Sequence, residues 1–397
     1  MGGAETSLLE LLKSLRSAQP DWELSLVLGA AGPLVGKVKP LGVLTKVIPF
    51  PRQLASFGDS DSAVGGARLY KAVGAFYNSL RYLSQLTAFL RELNPELIHS
   101  NGFKMHLLGA WARPSKIPVI WHIHDYVSSR PLMKTLLRWH RGKCDVIIAN
   151  SNSVRDDVES VCAPPPEVTT IYNSVDLKRF SPIGPTIDLD AAAGLQSAPA
   201  GTLRIGLVAT FARWKGHMLF LESLSRLPSD IALRAYIIGG PIYQTNGSQH
   251  TLAELRAEVE RLGLGGRVGF TNFIHPVDAA LRSLDVVVHA STQPEPFGMV
   301  IVEAMACGKA VVASKQSGAC ELFSHGRDML SYQCGDVGEM AEQILFLLRD
   351  TSMRCQLGVN ARRSVQQAFD DSRIASELNH LYKRVKFHGQ VQEFANS

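Results

Sequence analysis

Short runs of β-branched and other apolar residues alternate with helical patterns along this 397-residue chain, and that alternation constrains its fold more than any other feature. Strands separated by a helix run parallel, because the helix carries the chain back over the sheet before the next strand begins. The strand candidates are Glu23 to Leu28, Thr45 to Ile48, Leu97 to Ser100, Val119 to His124, Val146 to Asn150, Thr169 to Tyr172, Leu203 to Thr210, Ala232 to Ile238, Val268 to Thr271, Val286 to Ala290 and Ala310 to Ser314. The length exceeds one ordinary core and suits two α/β domains of comparable size. Residues 1–180 read as the first and 181–201, rich in Pro, Ala, Gly and Asp, as a linker. Residues 202–369 read as the second, and 370–397 as a last helix that crosses back to the first domain before a frayed tail.

Composition narrows the function classes. A net charge of +5 is compatible with phosphorylated ligands and too weak to argue for nucleic acid. The cysteines at 144, 162, 307, 320, 334 and 355 include no Cys-x-x-Cys pair and have no His at metal-ligand spacing. That pattern implies a reduced, cytoplasmic protein without structural zinc; no Asp-x-Asp motif stands in a metal-binding context, and neither a metal nor a cofactor is expected. No apolar run approaches a membrane span, so contact with the inner face of a membrane would be peripheral. One candidate for such contact is Arg68 to Leu93, where Tyr70, Phe76, Tyr77, Tyr82 and Phe89 interleave with Arg68, Lys71, Arg81 and Arg91. Core-facing aromatics with a solvated basic edge is the simpler account.

The densest chemical signal is Glu295-Pro296-Phe297-Gly298-Met299-Val300-Ile301-Val302-Glu303. It follows the apolar run Val286 to Ala290, and from Val300 its apolar residues fall at helical spacing. The amides of Phe297, Gly298, Met299 and Val300 then belong to a helix start, where backbone donors lack intrahelical partners and the dipole is positive. Such a start suits an anionic or polyhydroxylated ligand, with a carboxylate on either side.

The Glu-x7-Glu spacing, with Pro-Phe-Gly inside it and Glu-Ala-Met-Ala-Cys-Gly after it, resembles the donor-binding signature of family 4 glycosyltransferases. Members of that family are retaining enzymes of the GT-B fold, with two Rossmann-like doubly wound parallel-sheet domains facing a central cleft. The resemblance implies a nucleotide-diphosphate sugar as donor, linked to UDP or GDP, and a hydroxyl acceptor that is a glycan, a small molecule or a lipid-linked group. It makes Glu295 the group that holds the donor's sugar and Glu303 the acceptor of ribose hydroxyls. Phe211-Ala212-Arg213-Trp214-Lys215-Gly216 resembles the family's phosphate loop: Lys215-Gly216 matches, while Ala209-Thr210 replaces the usual Gly-Arg. Arg213 could reach the same phosphates in bidentate fashion. Gly239 permits close approach of backbone to ligand, and Phe273 stands where similar enzymes contact the nucleobase.

In the first domain, His122 and His124 share one side of a strand by period-2 alternation. His124 ends that strand beside Asp125 and matches the family's cleft histidine, which makes it a catalytic candidate together with Glu295. Asn101 follows another strand and is an acceptor-side candidate. So are Gly2 and Gly3, which resemble a loop that in the family follows the first strand. The chain is therefore expected to begin late, lacking roughly 10 residues, about one strand. Two rival readings remain at this level: a sugar-nucleotide epimerase, and a non-catalytic partner subunit of the same fold.

Overall fold

The computed structural model describes residues 3–51, 67–115, 117–241, 247–316, 318–369 and 371–395. The chain divides into two compact units: Met1–Ser174 together with Asp371–Ser397, and Val175–Asp370.

The second unit is built on six parallel strands: β7 (Leu203–Val208), β8 (Leu233–Ile238), β9 (Val268–Thr271), β10 (Val286–His289), β11 (Ala310–Ser314) and β12 (Leu330–Tyr332), in the spatial order β12-β11-β10-β7-β8-β9. Helices cover both faces of such a sheet, so its strands are apolar throughout instead of alternating. β10 and β11 are buried at every position. Ile205, Leu207, Val286, Val288 and Val312 pack with Phe220, Leu221, Ile344 and Leu347 from the covering helices. All eleven strand candidates coincide with observed strands to within two residues at each end, and the largest shift is that of Thr169 to Tyr172, observed two residues earlier at Glu167–Thr170. β12 has no counterpart among the candidates, because three residues are too few for a period to show.

Residues 181–201, read as a linker from composition, are folded onto this sheet. Asp188 caps the short helix Leu189–Ala192. Asp190 on that helix is 1% exposed and accepts bonds from Arg234 (2.6 Å), the Tyr236 hydroxyl (2.8 Å) and the Ala198 amide (2.9 Å). Two arginines fasten the preceding stretch. Arg282 donates to the carbonyls of Arg179, Ser181 and Pro185, and Arg362 to those of Leu177 and Phe180. Composition misleads here because the order comes from long-range partners.

The first unit holds β1 (Ser25–Leu28) and β2 (Leu44–Val47) as one parallel pair. A second sheet has the order β3 (Ile98–Asn101), β4 (Val119–Ile123), β5 (Val146–Ala149), β6 (Glu167–Thr170). Gly2 lies outside the described residues, and Gly3 is the first residue of the helix Gly3–Ala18 instead of part of a loop. The last helix, Asp371–Ala395, belongs to this unit and continues through the stretch expected to fray. Its Ile374, Leu378, Leu381 and Val385 meet Leu11 and Leu15 of the first helix over Ile120, Val146 and Ile148. On the helix Ala67–Leu93, Tyr82 is 2% exposed and meets Phe50 edge-on at 5.1 Å, as the core reading of that segment expects, whereas Tyr77 is 68% exposed and does not face the core. The side chains of Arg68, Tyr70, Lys71 and Phe76 lie outside the described residues.

Burial alone would raise the Asp190 carboxyl, but its bonds from Ala198, Arg234 and Tyr236 outweigh burial and hold it below the ordinary range. Replacing Asp190 with Ala strands the Arg234 charge, and chemical denaturation should show a loss of about 3–5 kcal/mol. A loss within experimental error would mean that residues 181–201 are not held in this way.

Candidate active site

Sheet order locates the site. The chain proceeds from β7 outward through β8 and β9, then returns to the other side of β7 to form β10, β11 and β12. The loops leaving the carboxyl ends of β7 and β10 therefore diverge, and such a switch point is where open α/β sheets bind ligands. The β7 loop carries Arg213, Trp214 and Lys215, and the β10 loop carries Ser291 to Gly298.

Backbone chemistry draws these loops together. The Thr292 amide donates to the Trp214 carbonyl at 2.8 Å. Gly216 sits in the left-handed region at φ 74°, where a Cβ would lie 1.8 Å from the Ala290 carbonyl oxygen. Gly239 is as restricted: at φ 145° a Cβ would come within 1.9 Å of the Ala209 oxygen.

This approach brings Lys215 and Glu295 together. Lys215 Nζ lies 2.6 Å from Glu295 Oε1 and 4.0 Å from the centroid of the Trp214 ring. Oε2 of the same carboxylate is held by His289 Nε2 at 2.5 Å and by the Ser291 hydroxyl at 2.6 Å. The carboxylate accepts, so His289 carries its proton on Nε2. Burial works against ionisation of Glu295, which is 8% exposed; the charge of Lys215 and the interaction with His289 override it and hold the carboxyl well below its usual range. Glu295 is a fixed anion, and one lone-pair direction of Oε1 remains beyond Lys215.

The adjoining helix is Met299–Ala306, with Gly298 at its N-cap in the left-handed region. The first-turn donors therefore begin at Met299, two residues later than Phe297. Phe297 is a core residue, 3% exposed, with its ring 5.9 Å from that of Phe369. Met299 and Val300 are half-buried, and helix geometry leaves their amides without intrahelical acceptors. Glu303 stands one turn further along and is half-buried.

Arg213 is directed elsewhere. Its guanidinium donates to the Gly247 carbonyl at 2.9 Å and to Glu254 at 3.1 Å, with His250 Nδ1 at 3.3 Å. Here it ties the β7 loop to the start of the helix Leu252–Arg261. Phe273 is 43% exposed, and a Cβ on Gly240 would lie 3.2 Å from its ring, so glycine lets the ring lie against the loop after β8.

In the first unit, His124 Nε2 is 3.0 Å from Asn101 Oδ1, which joins two predicted site residues. The His124 ring lies 4.0 Å from that of His122. His122 Nδ1 meets His99 Nε2 at 3.1 Å, and His99 Nδ1 meets the Tyr382 hydroxyl of the last helix at 2.5 Å. Burial lowers His124 to about 4 and His99 to about 3. His124 is therefore neutral near pH 7, a hydrogen-bonding group instead of a charge.

Two site residues escaped the sequence reading, His289 and Ser291. The available signal was a histidine ending an otherwise all-valine strand, six residues before Glu295. Among the described residues, no group of three or more His, Cys, Asp or Glu is placed to hold a metal ion. No helix among them is long and apolar enough to cross a membrane.

The depressed histidines fix a sign. Unfolded rings take a proton near 6.5, while His124 and His99 in the folded chain resist until about 4 and 3. Their contribution is complete above about pH 6.5 and lost as pH falls toward 4, on the order of 1 kcal/mol per pH unit for each ring. Denaturation profiles should show this decline, with the His124 ring titrating near 4 by NMR. A His124 midpoint near 6.5 would contradict the burial described here.

Comparison with known proteins agrees with this organisation. A family model described as Glycosyltransferase Family 4 matches residues 1–179, and one described as glycosyl transferases group 1 matches residues 196–364. An N-acetyl-alpha-D-glucosaminyl L-malate synthase from Bacillus anthracis is 23% identical over 76% of this chain and 78% of its own length. A D-inositol 3-phosphate glycosyltransferase from Jonesia denitrificans is 30% identical over 62% of this chain, a match that spans 58% of that relative. Among solved structures, Anabaena Alr3699/HepE in complex with UDP and glucose is 25% identical with a TM-score of 0.75, covering 96% of each chain. With two Rossmann-like units, each matched by its own model, the chain is a glycosyltransferase of the GT-B fold, related to Glycosyltransferase Family 4 and to the glycosyl transferases group 1.

Proposed function

We propose that this enzyme moves a sugar from a nucleotide-diphosphate sugar to a hydroxyl acceptor, with retention at the anomeric carbon and with UDP as the nucleotide. The observation that carries this reading is the Lys215–Glu295 pair, held at the switch point beside the open amides of Met299 and Val300. The similarity to Alr3699/HepE, which has been solved with UDP-glucose, supports the choice of uridine.

In this mechanism Lys215 and the two amides take the charge that develops on the departing diphosphate, which is where preorganised donors count most. Glu295, ionised and fixed by His289 and Ser291, accepts a hydrogen bond from a sugar hydroxyl through the open side of Oε1. Glu303 accepts from the ribose, a strong contact because the acceptor is charged. The acceptor oxygen attacks the face that the diphosphate leaves: the bond from C1 to the phosphate oxygen breaks, the bond from C1 to the acceptor oxygen forms, and the acceptor's proton passes to the leaving phosphate. Neither glutamate is a covalent nucleophile. His124 and Asn101 serve as neutral hydrogen-bonding groups on the acceptor side, and Phe273 as a stacking surface for the base.

A panel of nucleotide sugars assayed for release of nucleoside diphosphate, with the product's anomeric configuration read by NMR, tests this directly. UDP-sugars should turn over with retention. Glu295→Ala and Lys215→Ala should each lower kcat by about 100-fold or more while circular dichroism stays native. Turnover like the wild type in both variants, or an inverted product, would overturn the assignment.

A further inference from the structure

The helix Pro131–His140 of the first unit has one face that nothing among the described residues covers. Met133 and Leu137 anchor it in the core. On the opposite side Leu132 is 39% and Trp139 73% exposed. Seven residues apart, they lie on one stripe of the helix. Lys134 and Arg138, four residues apart and both exposed, form a second stripe roughly 130° round the helix from the first, and the exposed residues Pro131 and Thr135 lie between the two. Trp111, 41% exposed on the neighbouring helix Phe103–Ala112, meets His140 edge-on at 5.0 Å and extends the aromatic edge.

Charge is as lopsided as polarity. From Tyr126 to Cys144 the chain carries five Lys or Arg (Arg130, Lys134, Arg138, Arg141 and Lys143) and no acid, against 41 bases and 36 acids overall. The flanking acids are already matched, Asp125 by Arg130 at 2.8 Å and Asp145 by Arg113 at 3.2 Å. Among the described residues, Lys134, Arg138 and Lys143 have no carboxylate partner. Arg141 donates to the carbonyls of Arg138 and Pro164, which leaves its charge uncompensated.

We infer that this face is a docking surface for an anionic lipid bilayer, with Trp139 and Leu132 entering the headgroup boundary and Lys134, Arg138, Arg141 and Lys143 facing acidic headgroups. An exposed indole beside a short apolar stripe suits the water–lipid boundary, and clustered cations suit its negative potential. A protein partner fits less well, since the cores of protein interfaces are depleted in lysine. The assignment goes beyond the transfer reaction and does not depend on it.

Co-sedimentation of the full chain with vesicles tests it, using phosphatidylcholine alone and phosphatidylcholine mixed with phosphatidylglycerol. The wild type should pellet with the mixed vesicles, stay in solution with the neutral ones, and detach as salt is raised. The double variant Lys134→Gln/Arg138→Gln should bind about tenfold more weakly or worse. Trp139→Ser should also weaken binding, with the melting temperature and turnover on a soluble acceptor unchanged. A wild-type chain that ignores the mixed vesicles, or a Trp139→Ser variant that binds them equally well, would overturn the inference. So would self-association without lipid that Trp139→Ser abolishes, which would give the face to a second copy of the chain.

Discussion

A carboxylate and an ammonium held 2.6 Å apart with most of their surface removed from water, Glu295 and Lys215, are the feature on which the rest of the second unit turns. Such a pair does little for stability, because desolvating both charges consumes most of what their attraction returns. Its value is chemical. Lys215 stands at the end of the loop after β7 and Glu295 in the loop after β10, so the pair exists only where the sheet reverses its winding. The helix Met299–Ala306 begins four residues after Glu295, and opposite charges a few ångströms apart suit a substrate with a diphosphate at one end and hydroxyls at the other.

Around the pair, the backbone does the positioning. Gly216 and Gly239 each lie in a conformation and at a distance that no side chain tolerates, so neighbouring loops pack main chain to main chain. His289 and Ser291 fix one carboxylate oxygen and leave the geometry of the other to Lys215 and whatever binds. Sequence to loop, loop to ion pair and ion pair to chemistry form one line of dependence, and a shift in either glycine would move the charges before it touched the core.

Much of this was legible beforehand, and for physical reasons. Parallel strands buried on both faces leave apolar runs that cannot be mistaken for polar loops, so β7, β10 and β11 stand out from composition alone. Lys215 and Glu295 stand out because each belongs to a motif with local grammar, a glycine after the lysine and a helix start after the glutamate. What stayed hidden depends on distant partners. Asp190 looks like a linker residue until Arg234 and Tyr236 fold over it. Arg213 sits near Lys215 in sequence yet turns to Glu254, because an acid 41 residues away lies within its reach. His289 gives little sign of its role until the loop brings Glu295 back onto it.

The central claim is that Lys215, Glu295 and the start of the helix Met299–Ala306 form a site for a nucleoside diphosphate and its sugar. Calorimetric titration of UDP into the wild-type chain and into Lys215→Met asks this most directly. The account predicts saturable binding to the wild type and a weakening of about tenfold or more in the variant, the scale of one charge-assisted contact to phosphate. Failure of the wild type to bind UDP or any other nucleoside diphosphate, or an affinity that Lys215→Met leaves unchanged, would contradict it.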